Sequence, residues 1–183
     1  EGEFKANRFD GRGTYRHADG SVYTGEFEAG NKKGFGREHF SNGDVYEGEF
    51  KEDRFEGRGT KRLACGGFYE GEWKRGSIEG RGTLSLNGNV YEGEFKGGKE
   101  HGYGIARTAD GNTYNGQFKN GVKDGYGKEL FRDGSEYEGE YKANLMEGRG
   151  TCQYKSGAVY AGEYKAGKME GQGTYRWACG NVE

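Results

Sequence analysis

Six residues could do chemistry by type alone: His17, His39 and His101, with Cys65, Cys152 and Cys179. Imidazole supplies a general base, a thiolate supplies a nucleophile, and both ligate zinc, but each use requires a fixed mutual spacing. The cysteines, odd in number, stand at separations unlike any metal signature, which points to reduced thiols in a cytosolic protein. No serine or cysteine recurs beside a base, so no catalytic residue is assigned and no enzyme activity is expected. The pattern GxG also recurs, but between strands and never at the start of a helix, so no dinucleotide or other cofactor is expected.

The element that positions these residues is a repeated unit. Tyr23, Tyr46, Tyr69, Tyr91, Tyr114, Tyr137 and Tyr160 stand 23 residues apart, with one interval of 22. Eight repeats follow, at about 1–22, 23–45, 46–68, 69–90, 91–113, 114–136, 137–159 and 160–182; in the fourth, LSLNG is one residue shorter than KRLACG in the third. Glu1 falls one step after the place of a first tyrosine, and EGEFKANRFD is neither a signal peptide nor an initiator terminus, so the chain is expected to be part of a longer array. With the tyrosine as position 0, the three histidines occupy three different positions. Cys65 and Cys179 share the turn before the next tyrosine, while Cys152 lies in a second strand. A rise of ~10 Å per repeat separates Cys65 from Cys179 by ~50 Å, which argues against a zinc site within one chain and leaves Cys65, Cys152 and Cys179 only a site between chains.

Glycine recurs at positions 2, 11 and 13, and an aromatic at position 4: Phe4, Phe27, Phe50, Trp73, Phe95, Phe118, Tyr141 and Tyr164. Tyrosine, glycine and aromatic alternate with Glu, Glu and Lys, which is the period of a half-buried strand. Position 7 holds Gly, Asn or Asp, residues suited to a turn, and a second strand runs on to an apolar residue at position 17, such as Phe40, Leu63, Phe131 or Trp177. Asp19-Gly20, Asn42-Gly43, Asn87-Gly88, Asp110-Gly111 and Asp133-Gly134 then read as tight hairpin returns. The expected fold is all-β: an elongated, twisted, antiparallel single-sheet solenoid of eight stacked β-hairpins, ~75 to 80 Å long. Glycine at position 2 is expected to leave room for a ring from the neighbouring strand.

The repeats divide into two kinds. Five pair an apolar position 9 with Arg or Gln at position 12, as in Phe9/Arg12, Phe55/Arg58, Ile78/Arg81, Met146/Arg149 and Met169/Gln172; three invert this as Lys32/Phe35, Glu100/Tyr103 and Lys123/Tyr126. The inversion suggests one pocket filled from either side of the turn, although descent from two ancestral repeats explains it equally simply.

Composition narrows the function. The apolar fraction is 31%, below the roughly 45–50% of globular chains, yet 14 Tyr, 11 Phe and 2 Trp supply a thin aromatic core that disordered chains lack. With 39 Gly and no Pro, the glycines hold fixed positions and do not form a flexible linker. A net charge of −2 offers no basic field for nucleic acid, and no apolar run approaches the roughly 18 residues of a membrane span. The longest basic runs, Lys32-Lys33 and Lys61-Arg62, fall short of the 4 to 8 clustered cations that anionic lipid typically recruits.

The stretches YEGEFKEDRFEGRGT and YNGQFKNGVKDGYGK resemble MORN repeats (membrane occupation and recognition nexus), and the resemblance covers the whole chain. It implies the fold just described. The chain is most similar to cytoskeletal scaffold proteins of protists that consist of little but these repeats. That resemblance implies a non-enzymatic, cytoplasmic, cytoskeleton-associated rod at or near the membrane periphery, bridging cytoskeletal and membrane-associated proteins. It also implies an antiparallel homodimer through the C-terminal repeats, for which Tyr164, Met169, Tyr175, Trp177 and Val182 are the candidate contacts. Open strands at the ends of a solenoid favour the same outcome. The alternative is an adaptor holding a partner peptide in a groove lined by the tyrosines and by Phe35, Tyr103 and Tyr126. Peripheral phospholipid binding is a third reading.

Overall fold

The computed structural model describes residues 1–179. It is all-β and antiparallel, and strand order equals chain order: β1 Gly2–Lys5, β2 Arg8–Arg16, β3 Val22–Glu28, β4 Asn31–His39, β5 Val45–Lys51, β6 Arg54–Arg62, β7 Phe68–Lys74, β8 Ser77–Leu86, β9 Asn89–Lys96, β10 Lys99–Arg107, β11 Thr113–Lys119, β12 Val122–Leu130, β13 Glu136–Lys142, β14 Leu145–Gln153, β15 Val159–Lys165 and β16 Lys168–Arg176. The chain forms two compact units: Glu1–Asn87 with Phe95–Gly98, and Gly88–Glu94 with the chain from Lys99 onward.

Each repeat is one hairpin. Its tip at positions 6 and 7 places both residues at positive φ, as in Asn120 (φ 53) and Gly121 (φ 87), which matches the right-handed twist of the flanking strands. The tip also locks onto the preceding repeat: Gly121 N–H donates to the Glu100 carbonyl and Gly167 N–H to that of Met146, both at 2.9 Å.

The second return differs from the tight dipeptide turn read from the sequence. Asp19 and Asn42 are not at positive φ; each carboxylate or amide oxygen accepts from the backbone N–H two residues on, Ser21 at 2.9 Å and Asp44 at 3.0 Å. The return is a five-residue loop, closed by His17 N–H to the Ser21 carbonyl at 2.8 Å. Among the described residues only Asn87 (φ 52) and Gly88 (φ 78) form a two-residue turn of the expected kind between repeats, so the fourth repeat is one residue shorter.

Glycine pairs with glycine across the strands. In the first unit the row runs Gly13↔Gly25, Gly36↔Gly48, Gly59↔Gly71 and Gly71↔Gly82; in the second it runs Gly116↔Gly127, Gly139↔Gly150 and Gly162↔Gly173. The ring that needs this space is the repeat's own tyrosine, not a neighbour's: a Cβ on Gly82 would lie 2.5 Å from Tyr69 Oη, and one on Gly139 2.5 Å from Tyr137 Oη. Each ring lies flat over its hairpin's glycines and donates its hydroxyl proton to the carbonyl at position 3, as Tyr46 does to Glu49 and Tyr137 to Glu140, both at 3.0 Å. The position 4 rings pack edge-on against these tyrosines, Tyr23 against Phe27 and Phe50 and Tyr137 against Tyr141 and Tyr164, with centroids 5.0 to 5.2 Å apart. Each such pair contributes about 0.5–1.5 kcal/mol beyond burial. Tyr23, Tyr46, Tyr114 and Tyr137 are buried completely.

Positions 9 and 12 lie on opposite faces, which overturns the idea of one pocket filled from either side. Phe55 stacks on Tyr46 at 3.8 Å on the tyrosine face, whereas Arg58 pairs across the sheet with Glu72 on the charged face. Where lysine replaces the apolar residue at position 9, position 15 supplies an acid on the same face. Buried Lys32 pairs with Glu38 beneath Tyr23 and Phe50, and Lys123 pairs with Glu129 beneath Tyr114 and Tyr141. A satisfied ion pair, stacked on rings, thus substitutes for an aliphatic side chain.

Candidate interaction surface

The recurring glutamates of the charged face are largely used by the fold itself. Glycine at position 11 adopts a left-handed conformation, as Gly148 does at φ 63, and the carboxylate at position 3 folds over it to accept the next backbone N–H. Arg58 N–H donates to Glu49 at 2.9 Å and Arg149 N–H to Glu140 at 3.0 Å. A side chain on Gly148 would meet that carboxylate at 2.7 Å, so glycine and glutamate are required together. The one exception at position 3 is Gln117, whose amide oxygen accepts from Tyr126 N–H at 2.7 Å. The hydrogen bond survives and the charge is gone.

Tyr103 and Tyr126, both half-exposed, flank that glutamine on the charged face, opposite the buried tyrosines with which the sequence reading grouped them. Tyr103 stands across from Gln117 and Ile105 across from Asn115, where other repeats carry Glu at position 3 and mostly Thr at position 14. Tyr103, Ile105, Asn115, Gln117 and Tyr126 therefore make a neutral patch with two rings on an otherwise ionic face. The Tyr126 hydroxyl donates to Glu138 at 3.0 Å, and that bond raises its pKa above the usual phenol value. Ile105, Asn115 and Gln117 are not among the contacts expected from the sequence; the signal for them is YNGQFK at 114–119, where Gln117 stands in place of the Glu that every other repeat has at position 3.

Phe35, in the first unit, is 57% exposed and borders a shallow depression with Arg12, Thr14, Thr24 and Arg37. Among the self-association candidates, Tyr164 is buried, Met169 is 52% and Trp177 45% exposed, and Tyr175 rests against Trp177 at 4.5 Å. Met169 stands directly across from Tyr164 in the β15/β16 register. Val182 lies outside the described residues. Cys65 and Cys179 are exposed thiols and Cys152 a buried one, its pKa raised by burial. Among the described residues no group of three or more His, Cys, Asp or Glu is placed to hold a metal.

The family model of the MORN repeat matches at residues 1–22, 23–45, 46–64, 69–89, 91–113, 114–136, 137–159 and 160–182. The chain belongs to the MORN repeat family. No curated protein matches it significantly. The MORN array is similar in fold to the TCP10 domain of Danio rerio CPAP in complex with a peptide of Danio rerio STIL, with a TM-score of 0.54 and 12% identity over 94% of this chain and 77% of that chain. It is likewise similar to the SAS-4 (dCPAP) TCP domain in complex with a proline-rich motif of Ana2 (dSTIL) of Drosophila melanogaster, with a TM-score of 0.50 and 14% identity over 94% and 87% of the two chains. At such identities the likeness is one of fold. Within the MORN units the glycines, the tyrosine and the glutamate of position 3 all have structural roles, whereas the rings of Tyr103 and Tyr126 in the fifth and sixth repeats stand half-exposed on the face opposite the core.

Proposed function

We propose that this MORN array is a non-enzymatic scaffold that binds segments of partner proteins, with Tyr103, Ile105, Asn115, Gln117 and Tyr126 as its principal contact. The observation that carries this reading is the loss of charge between two exposed rings, at the one repeat where both recurring glutamates of the charged face give way to amides, Asn115 and Gln117. Rings with polar edges flanked by amides suit an extended peptide, which offers carbonyls and N–H groups to Asn115 and Gln117 and apolar side chains to Tyr103 and Tyr126. Two similar folds are each found with a peptide of another protein, which supports the same kind of partner here. Partners of cytoskeletal or membrane-associated type remain part of the proposal. A photo-crosslinking phenylalanine analogue at position 126, compared with one at the ordinary face position 58, tests it. Crosslinks to a defined partner from 126 alone support the patch; identical products from both positions count against it.

A second reading, self-association through the last repeat, is favoured by β16, whose side chains are nearly all exposed, Met169 among them, and by the exposed Trp177 that follows it. Light scattering of the chain and of Trp177→Asp distinguishes the outcomes: a dimer lost on substitution supports it, and a monomer in both cases rules it out.

A further inference from the structure

The tyrosine face carries a second feature, separate from the neutral patch. Phe131, Met146, Cys152, Tyr154, Tyr164 and Met169 line a cavity of about 600 Å³ between successive repeats of the second unit. Position 4 is tyrosine in two neighbouring repeats, and the two hydroxyls fare differently. Tyr141 donates to Glu129 at 2.7 Å. Tyr164 instead meets the thiol of Cys152 at the equivalent place, a weak partner at best, and its hydroxyl, shielded from solvent, has no oxygen or nitrogen to donate to. Leaving a buried donor unpaired costs about 1–3 kcal/mol, so the fold gains nothing from that oxygen.

We infer that this cavity binds one neutral apolar side chain of a protein segment, whose peptide carbonyl accepts the hydrogen bond that Tyr164 offers. Three observations specify the occupant. Apart from Ser135, Gly167 and the two charged residues, the lining is aromatic, thioether and thiol, which suits an aliphatic or aromatic side chain. The orphaned hydroxyl calls for an acceptor beside that side chain. Asp133 and Lys168 at the mouth place one charge of each sign there, so neither an anionic headgroup nor a cation is selected. Met146 and Met169, each with three rotatable bonds, form the part of the wall that yields to admit it.

Met146 and Met169 are the only methionines of the chain, so methyl labelling of methionine puts both of its probes on the wall of this cavity. The probes are the N-acetyl methylamides of leucine and phenylalanine, with toluene as a ring that lacks an acceptor. Titration of the full chain is expected to shift both methionine signals at millimolar amide. Tyr164→Phe is expected to fold with an undiminished melting temperature, to weaken the amides about 3- to 10-fold and to leave toluene unchanged. Unmoved methionine signals, an unaltered amide affinity in Tyr164→Phe, or a destabilised variant would each overturn the inference. None of these results depends on whether the Tyr103 and Tyr126 patch captures a partner.

Discussion

Tyr141 donates its hydroxyl proton to Glu129 at 2.7 Å, and Glu129 also holds Lys123, so three polar groups satisfy one another on a face built from rings. Removing one member strands the others. Glu129→Ala is expected to destabilise the fold by about 3 kcal/mol, since Lys123 and the Tyr141 hydroxyl lose their partner in a mostly buried site. The triple change Lys123→Ile, Glu129→Leu, Tyr141→Phe copies Ile78, Leu84 and Phe95 and is expected to recover most of that loss. Urea denaturation midpoints measure both; a triple variant no better than the single would refute the substitution of ion pair for aliphatic.

The glycine row predicts a sharp contrast between two glycines five residues apart. Gly139→Ala would place a Cβ 2.5 Å from both the Gly150 backbone and Tyr137 Oη, and is expected to cost at least about 3 kcal/mol. Gly134, at φ 90 with nothing within 4 Å of an added Cβ, is limited to backbone strain of about 1–2 kcal/mol on change to alanine. Thermal melts of the two variants should rank in that order.

Alkaline unfolding follows from the buried phenols. Burial raises the pKa of Tyr69, Tyr91 and Tyr137 from 10.0 to about 12, because the phenolate is poorly solvated beneath the rings. The unfolded chain releases these protons first, so their contribution to stability is complete below pH 10 and is lost as pH rises towards 12. Stability followed by circular dichroism should be level with respect to these groups below pH 10 and fall steeply above it. A flat profile to pH 12 would contradict the packing of the rings.

Much of this was legible in the residues. The spacing of Tyr23, Tyr46 and their successors yields the repeat, and the alternation of Tyr, Gly and Phe yields the buried face. The spacing says where glycine stands, but only coordinates show that Tyr69 lies over Gly71 and Gly82 of its own hairpin. Alternation puts Lys32 and Glu38, six residues apart, on one face, but the period does not show that the two side chains reach each other across the irregular register of β4. The same alternation puts Phe35, three residues from Lys32, on the opposite face despite the appearance of an exchange. Asp19-Gly20 misled for a local reason: the Asp19 side chain caps Ser21 instead of entering the turn with positive φ.

The bond at position 3 predicts tolerance of one substitution and not another. Glu140→Gln keeps an acceptor for Arg149 N–H, as Gln117 does for Tyr126, and is expected to leave stability within about 0.5 kcal/mol. Glu140→Ala removes it and is expected to cost about 1 kcal/mol. Chemical denaturation of the pair checks this, and equal losses would show that charge, not the acceptor, is what the position requires.

The central claim, that this scaffold recognises protein segments through its neutral patch, is tested most directly by affinity capture with the intact chain and with Tyr103→Ala/Tyr126→Ala, after matching their melting temperatures. The account predicts that at least one polypeptide held by the intact chain falls about 10-fold or more with the variant, as expected when two aromatic anchors are removed. The same polypeptides at the same levels from both proteins would contradict it.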